Sequence, residues 1–203
     1  MDNLSGVTAH RKQRHTGQHA IYIGYHGGFS DYLATTDKDG GILGYLRLYN
    51  HQLPWRDLKA LDTTMDSTEN NLACIMLEVP PEPWGLPKEE TAAILEAYKA
   101  RAYDYHALFL LDEVVTGFRY GLAGAQGYYG VQAALACFSK GMANGHKLAA
   151  LTGPRDLMQV FEGGKVFLST TFGGEATSLA ACQATLRVLE QTDALSKLHW
   201  HGS

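Results

Sequence analysis

The sequence has no uninterrupted apolar run of the roughly 18 residues that a membrane helix needs, and no basic-then-apolar leader, so neither membrane insertion nor secretion is expected. Cysteine is scarce. Cys74, Cys137 and Cys182 are odd in number and set among apolar neighbours, which argues against a disulfide framework and reads as reduced thiols in a cytoplasmic protein. Basic charge is also short: the chain carries a net charge of -4, with no stripe of lysine and arginine to neutralise phosphates, so nucleic acid is not an expected partner. There is no GxxxxGK[ST] loop, which removes the phosphate cradle a P-loop ATPase requires. Internal repeats, low-complexity tracts and a separate linker are lacking as well. No metal site is assigned.

What is present suffices for a core. At 203 residues with 45% hydrophobic side chains, the chain can bury one as a single globular unit. Its organising stretch is Leu108 to Arg119, LFLLDEVVTGFR. Leu108 to Leu111 is apolar on both faces, as in a central parallel strand, and it stops at two acids, Asp112 and Glu113. Ligands of open α/β sheets sit outside the carboxyl ends of the strands, so acids placed there are expected to point into a site. The pattern recurs at Ala134 to Phe138, which ends in Ser139-Lys140-Gly141. An acid and a lysine at neighbouring strand ends can face one ligand. Hydrophobic strand plus Asp-Glu also describes a Walker B element, and a capping aspartate with a solvated lysine fits the bare pattern equally.

The remaining punctuation predicts an α/β fold. Ile21 to Ile23 reads as a short strand running into Gly24-Tyr25-His26-Gly27-Gly28. Leu72 to Leu77 reads as a buried strand that ends in Glu78-Val79-Pro80, and Pro80 to Pro83 cannot be helical throughout. Ile94, Leu95 and Tyr98 recur at helical spacing within Lys88 to Asp104, giving strand, helix, strand as in a βαβ unit. Gly121 to Gly130 reads as a loop, Asn144-Gly145 as a turn, and Leu148 to Thr152 as another strand. Ser169-Thr170-Thr171-Phe172-Gly173-Gly174 precedes a helix of small residues, Ala176 to Leu189, where hydroxyls and amides can cap the helix or take phosphate oxygens. Met1 to Gly17 is polar and basic and reads as the end of a helix.

LLDEVVTGFR, then SKGMANG, then STTFGGEATSLAA, in that order and spacing, resemble the class III pyridoxal-phosphate aminotransferases, and most of all the glutamate-1-semialdehyde aminomutase-like branch. The likeness runs from about Gly24 to about Glu190. It implies the large domain of a fold type I pyridoxal-phosphate transferase, a mostly parallel sheet with helices on both faces. Since members are roughly twice as long, residues 1–203 are expected to be a partial large domain, without the small C-terminal domain and without the Ser-Gly-Thr loop that anchors the cofactor phosphate.

The resemblance also implies roles. Lys140 forms a Schiff base with pyridoxal 5'-phosphate and then shuttles a proton, which needs an uncharged amine of the kind a desolvated site favours. Asp112 keeps the pyridine nitrogen protonated. Tyr25 stacks on the ring with His26 beside it, and Val114 presses on the opposite face, because it follows Asp112 by two in an extended segment. Thr171 reaches across a homodimer interface to the partner's cofactor. The partners implied are a small-molecule amino donor and a carbonyl acceptor. The rival expectation is a catalytically silent remnant that keeps the fold as a binding module.

Overall fold

The computed structural model describes residues 17–79, 86–164 and 166–202. Its strands are β1 (His19–Ile23), β2 (Asn50–Leu53), β3 (Leu72–Glu78), β4 (Leu108–Asp112), β5 (Leu135–Phe138) and β6 (Ala150–Thr152). They form one six-stranded sheet in the order β2-β1-β3-β4-β5-β6. Every neighbouring pair is parallel except β5 and β6, which run antiparallel.

The helices are α1 (Ser30–Leu33), α2 (Leu58–Ser67), α3 (Lys88–Asp104), α4 (Gly124–Tyr129), α5 (Arg155–Met158), α6 (Ala176–Gln191) and α7 (Ala194–Gly202). Side chains on a strand alternate between faces, and the two apolar clusters follow that alternation. One cluster takes Ile21, Ile23, Ile75, Leu77, Phe109 and Leu111 and is roofed by α2 and α3 through Leu61, Met65, Leu95 and Tyr98. The other takes Ala20, Tyr22, Cys74, Met76, Leu110 and Cys137, with Phe29, Tyr32, Leu151 and Leu157 against it. Burying a side chain such as Leu110 or Leu111 stabilises the fold by about 1.5–3 kcal/mol, so the central strands β3 and β4 carry much of the framework.

The strand and helix expectations at β1, β3, α3, β4 and β5 agree with the structure to within a few residues. Three features differ. The stretch read as a loop contains α4, a single short helix whose start is held by a side chain from β4. β2 is an edge strand of Asn50, His51, Gln52 and Leu53, too polar and too short to announce itself, and it exists because β1 offers it a parallel ladder. Helices do not clothe both faces alike: among the described residues, the second face is covered by the single turns α1 and α5 and by loops, while α6 packs beside the turn at Lys140 and α7. The basic stretch before Gly17 and the Pro80 to Pro83 loop lie outside the described residues.

Candidate active site

Because β4 alternates, its last two acids part company. Asp112 shares the face of Leu108 and Leu110, whereas Glu113 follows Phe109 and Leu111 toward α3 and α4. Of the two, only Asp112 turns to the face that holds His26, and the expectation that both acids point to one site is corrected. The Glu113 carboxylate is buried and accepts hydrogen bonds from the backbone N–H of Ala125 (3.0 Å), from that of Gln126 (3.0 Å) and from the Thr116 hydroxyl. It pins the start of α4, and Gly124 lies against it at φ +63.

Around Asp112 the ends of β1, β3 and β5 converge. Asp112 is 3% exposed. Its Oδ2 lies 2.8 Å from Nδ1 of His26, and its Oδ1 accepts the Val114 N–H at 3.0 Å. His26 is equally buried, and its Nε2 lies 3.1 Å from the Ile23 carbonyl. Both ring nitrogens therefore lie within hydrogen-bond distance of an oxygen, one from the acid and one from the backbone. Held at both ends, His26 fixes the Asp112 carboxylate in one orientation. Sequence reading set His26 beside Tyr25, and the structure shows its ring on the Asp112 carboxylate.

Val114 reaches this neighbourhood by a different route from the one expected. β4 stops at Asp112, and Val114 begins a turn rather than continuing an extended segment, so strand alternation does not place it. The Asp112 side chain closing on the Val114 N–H does, and Val114 packs against the Tyr22 and Tyr32 cluster.

Lys140 opens a 3₁₀ turn, Lys140–Met142, two residues past the end of β5. Its backbone sits at φ +44, a left-handed conformation that a side-chain-bearing residue seldom adopts and that recurs at functional positions. The side chain is exposed. This edge of the sheet is open among the described residues. Tyr25 is 64% exposed at the same edge, its ring edge-on to Tyr32 with centroids 6.0 Å apart. Thr171 is exposed in a turn, Thr171–Gly174, ahead of α6. The cap of α6 is Glu175, whose carboxylate accepts from the Thr177 N–H at 2.7 Å and the Ser178 hydroxyl at 2.9 Å; both bonds hold its pKa below the ordinary carboxylate range, the serine contributing most.

Sequence reading left Glu78 without a role. It ends β3 in register with Asp112 on β4, half-buried, and its Oε2 accepts the Tyr25 N–H at 3.0 Å. Its pKa is raised, mainly by burial and further by the charge of Asp112, against the lowering pull of the Tyr25 N–H, His26 and Lys140. Those interactions place Glu78, Asp112, His26 and Lys140 in one electrostatic neighbourhood. The available signal was the alignment of two strands that both end in an acid. Cavities of about 330 Å³ beside Arg47 and His51 and about 480 Å³ beside Gln126 and Thr152 lie elsewhere on the molecule.

The family model described as "Aminotransferase class-III" matches residues 8–202. The chain belongs to the class-III aminotransferases. Among curated members, it is 35% identical over 154 residues to a glutamate-1-semialdehyde 2,1-aminomutase of Methanocella arvoryzae, covering 74% of this chain and 35% of that protein. It is 36% identical over 172 residues to a 3-aminobutyryl-CoA aminotransferase of Cloacimonas acidaminovorans, covering 83% of this chain and 40% of the relative. The fold is that of a solved transaminase with pyridoxal phosphate bound (TM-score 0.78, 23% identity, 92% of this chain and 46% of the other) and of an omega-transaminase from Sphaerobacter thermophilus (TM-score 0.75, 21% identity, 91% and 47%). This class-III chain therefore spans less than half the length of those proteins. The family's cofactor is pyridoxal phosphate. Among the described residues, no helix is long and apolar enough to cross a membrane.

Proposed function

We infer that the chain is the cofactor-binding part of a pyridoxal-phosphate-dependent transaminase or aminomutase, with Lys140 as the covalent anchor and Asp112 at the pyridine nitrogen. One observation carries the reading: a buried acid oriented by His26, a lysine in a left-handed turn and an exposed tyrosine ring share one sheet edge inside a class-III chain. The chemistry of this donor set fits the group. A carboxylate suits a protonated ring nitrogen, a primary amine suits an aldehyde, and an aromatic face suits a flat heterocycle.

When bound, pyridoxal phosphate supplies an aldehyde and an electron-withdrawing ring. Asp112 holds a proton at the ring nitrogen, and His26 with the Val114 N–H keeps its carboxylate aimed. The Lys140 amine takes the proton from the α-carbon of an amino donor and returns one to a carbonyl acceptor. Tyr25 and Val114 confine the ring between them.

Thr171 is assigned to the phosphate of a second subunit's cofactor, which makes the working assembly a homodimer; its exposure on a turn ahead of α6 supports this. A dimer partner would also cover the open edge and desolvate Lys140. The scarcity of cysteine, with Cys74 and Cys137 buried among apolar side chains, supports a cytoplasmic, reducing setting. The alternative reading is a remnant that keeps the fold as a cofactor-binding module without turnover.

Titration of the protein with pyridoxal phosphate tests the reading. A saturable visible absorption band in the wild type, lost in Lys140→Ala, is expected; a band of equal strength in both proteins overturns it. A band without amino transfer to any carbonyl acceptor selects the module.

A further inference from the structure

We propose that Glu78 is a positioning residue: it clamps the peptide between Gly24 and Tyr25 and thereby fixes where the Tyr25 ring stands. The last link, from ring to cofactor, rests on the function proposed above; the clamp itself does not.

The peptide unit joining Gly24 to Tyr25 has two polar groups, and both are held by side chains from other elements. Its N–H, on Tyr25, donates to Glu78 Oε2 at 3.0 Å. Its carbonyl, on Gly24, accepts the Tyr32 hydroxyl at 3.1 Å. One bond leaves the peptide plane free to swing; two, from opposite edges, fix it. The contact is close in the steric sense as well. Gly24 sits at φ +103, and a Cβ built there would lie 2.8 Å from the Glu78 Cβ, so the turn passes the glutamate at a distance only glycine permits.

Fixing this plane sets the direction in which Tyr25 leaves the sheet. Its ring then stands edge-on to Tyr32 at 88°, the same residue that grips the carbonyl. Glu78 thus holds one edge of the peptide, and Tyr32 holds the other edge and the ring as well. Glu78 is in register with Asp112, so the residue that orients the ring and the acid assigned to the ring nitrogen are ladder partners on adjacent strands. The spacing between the two is built into the β3–β4 register rather than into a loop.

A clamp needs an acceptor oxygen, whereas a proton carrier needs an ionisable one, and the two roles separate in Glu78→Gln and Glu78→Ala. Amide hydrogen exchange at Tyr25, measured on the whole chain without cofactor, is expected to be alike in wild type and Glu78→Gln and about tenfold faster in Glu78→Ala. Exchange in Glu78→Ala within twofold of wild type overturns the clamp. Tyr32→Phe releases the other edge and is expected to speed the same amide; it carries the test if Glu78→Ala does not fold, and no change in it then overturns the proposal. With pyridoxal phosphate added, the visible circular dichroism band is expected to keep its shape in Glu78→Gln and to weaken in Glu78→Ala relative to absorbance. An unchanged band in Glu78→Ala overturns the ring-orienting step. No visible band in wild type overturns the cofactor reading instead, and leaves the exchange result to judge the clamp.

Discussion

Asp112 and Glu113 are consecutive in the chain, yet their carboxylates leave the sheet on opposite faces, one bound to His26 and the other to the start of α4. The two acids should therefore fail in different ways. Asp112→Asn keeps an acceptor for His26 but loses the charge that holds a proton on the ring nitrogen. Amino transfer is expected to fall on the order of 10²-fold or more, with a smaller change in KM, as steady-state kinetics on the holoprotein will read.

Glu113→Ala strips three donors of their buried acceptor at once. Leaving a buried donor unmet costs about 1–3 kcal/mol, so a loss on the order of 3 kcal/mol is expected from denaturant unfolding. Gly124→Ala should damage the same contact from the other side, since its Cβ would lie 2.7 Å from Glu113 Oε1 at a φ of +63; a loss of about 1 kcal/mol or more is expected.

Much of this division was legible in advance, and some was not. The apolar run of Leu108 to Leu111 announces a buried strand, and the helical spacing of Leu95 and Tyr98 announces α3, because burial on a sheet or under a helix forces those periods. Strand alternation alone could have separated Asp112 from Glu113, but the partners that use each acid come from distant segments, His26 from the turn after β1 and Ala125 from α4. The role of Glu78 was hidden for the same reason: it depends on a turn 53 positions away in sequence. Val114 shows the converse, a local expectation of extended backbone overridden by one side-chain hydrogen bond. β2 was illegible because an edge strand of four largely polar residues has no pattern of its own.

Glu78 gives a pH dependence of definite sign. Its folded pKa is raised, by burial first and Asp112 next, so the unfolded chain releases the proton before the native one does as pH rises. Glu78 thus favours the fold below the ordinary carboxylate range and loses that contribution as pH climbs through its native value. Glu78→Gln should flatten this part of a stability-against-pH curve and equal or exceed the wild type near neutrality, measured by urea midpoints.

His51 works in the opposite sense at the far edge of the sheet. Burial, then repulsion from His19, whose Nδ1 lies 3.0 Å from His51 Nε2, lowers its pKa. As pH falls past about 6.5 the unfolded chain takes up the proton first, so this contribution is present above the ordinary histidine value and lost below it. Protection factors along β2, taken against the intrinsic exchange rate at each pH, are expected to fall on acidification in wild type, and less so in His51→Gln.

Thr171→Val should leave the thermal midpoint of the unliganded protein nearly unchanged, because the residue is exposed in its turn. A hydrogen bond to a charged phosphate contributes about 1.5–3 kcal/mol, so a drop of roughly 10- to 100-fold in cofactor affinity is expected, read by absorbance titration at a protein concentration where the dimer forms.

The most direct test of the account is to load the protein with pyridoxal phosphate, reduce it with borohydride, and locate the added mass by peptide mapping. A single modified site at Lys140, in wild type and in Asp112→Asn alike, is the predicted result. Label spread over several exposed lysines, or concentrated on one other than Lys140, would contradict it.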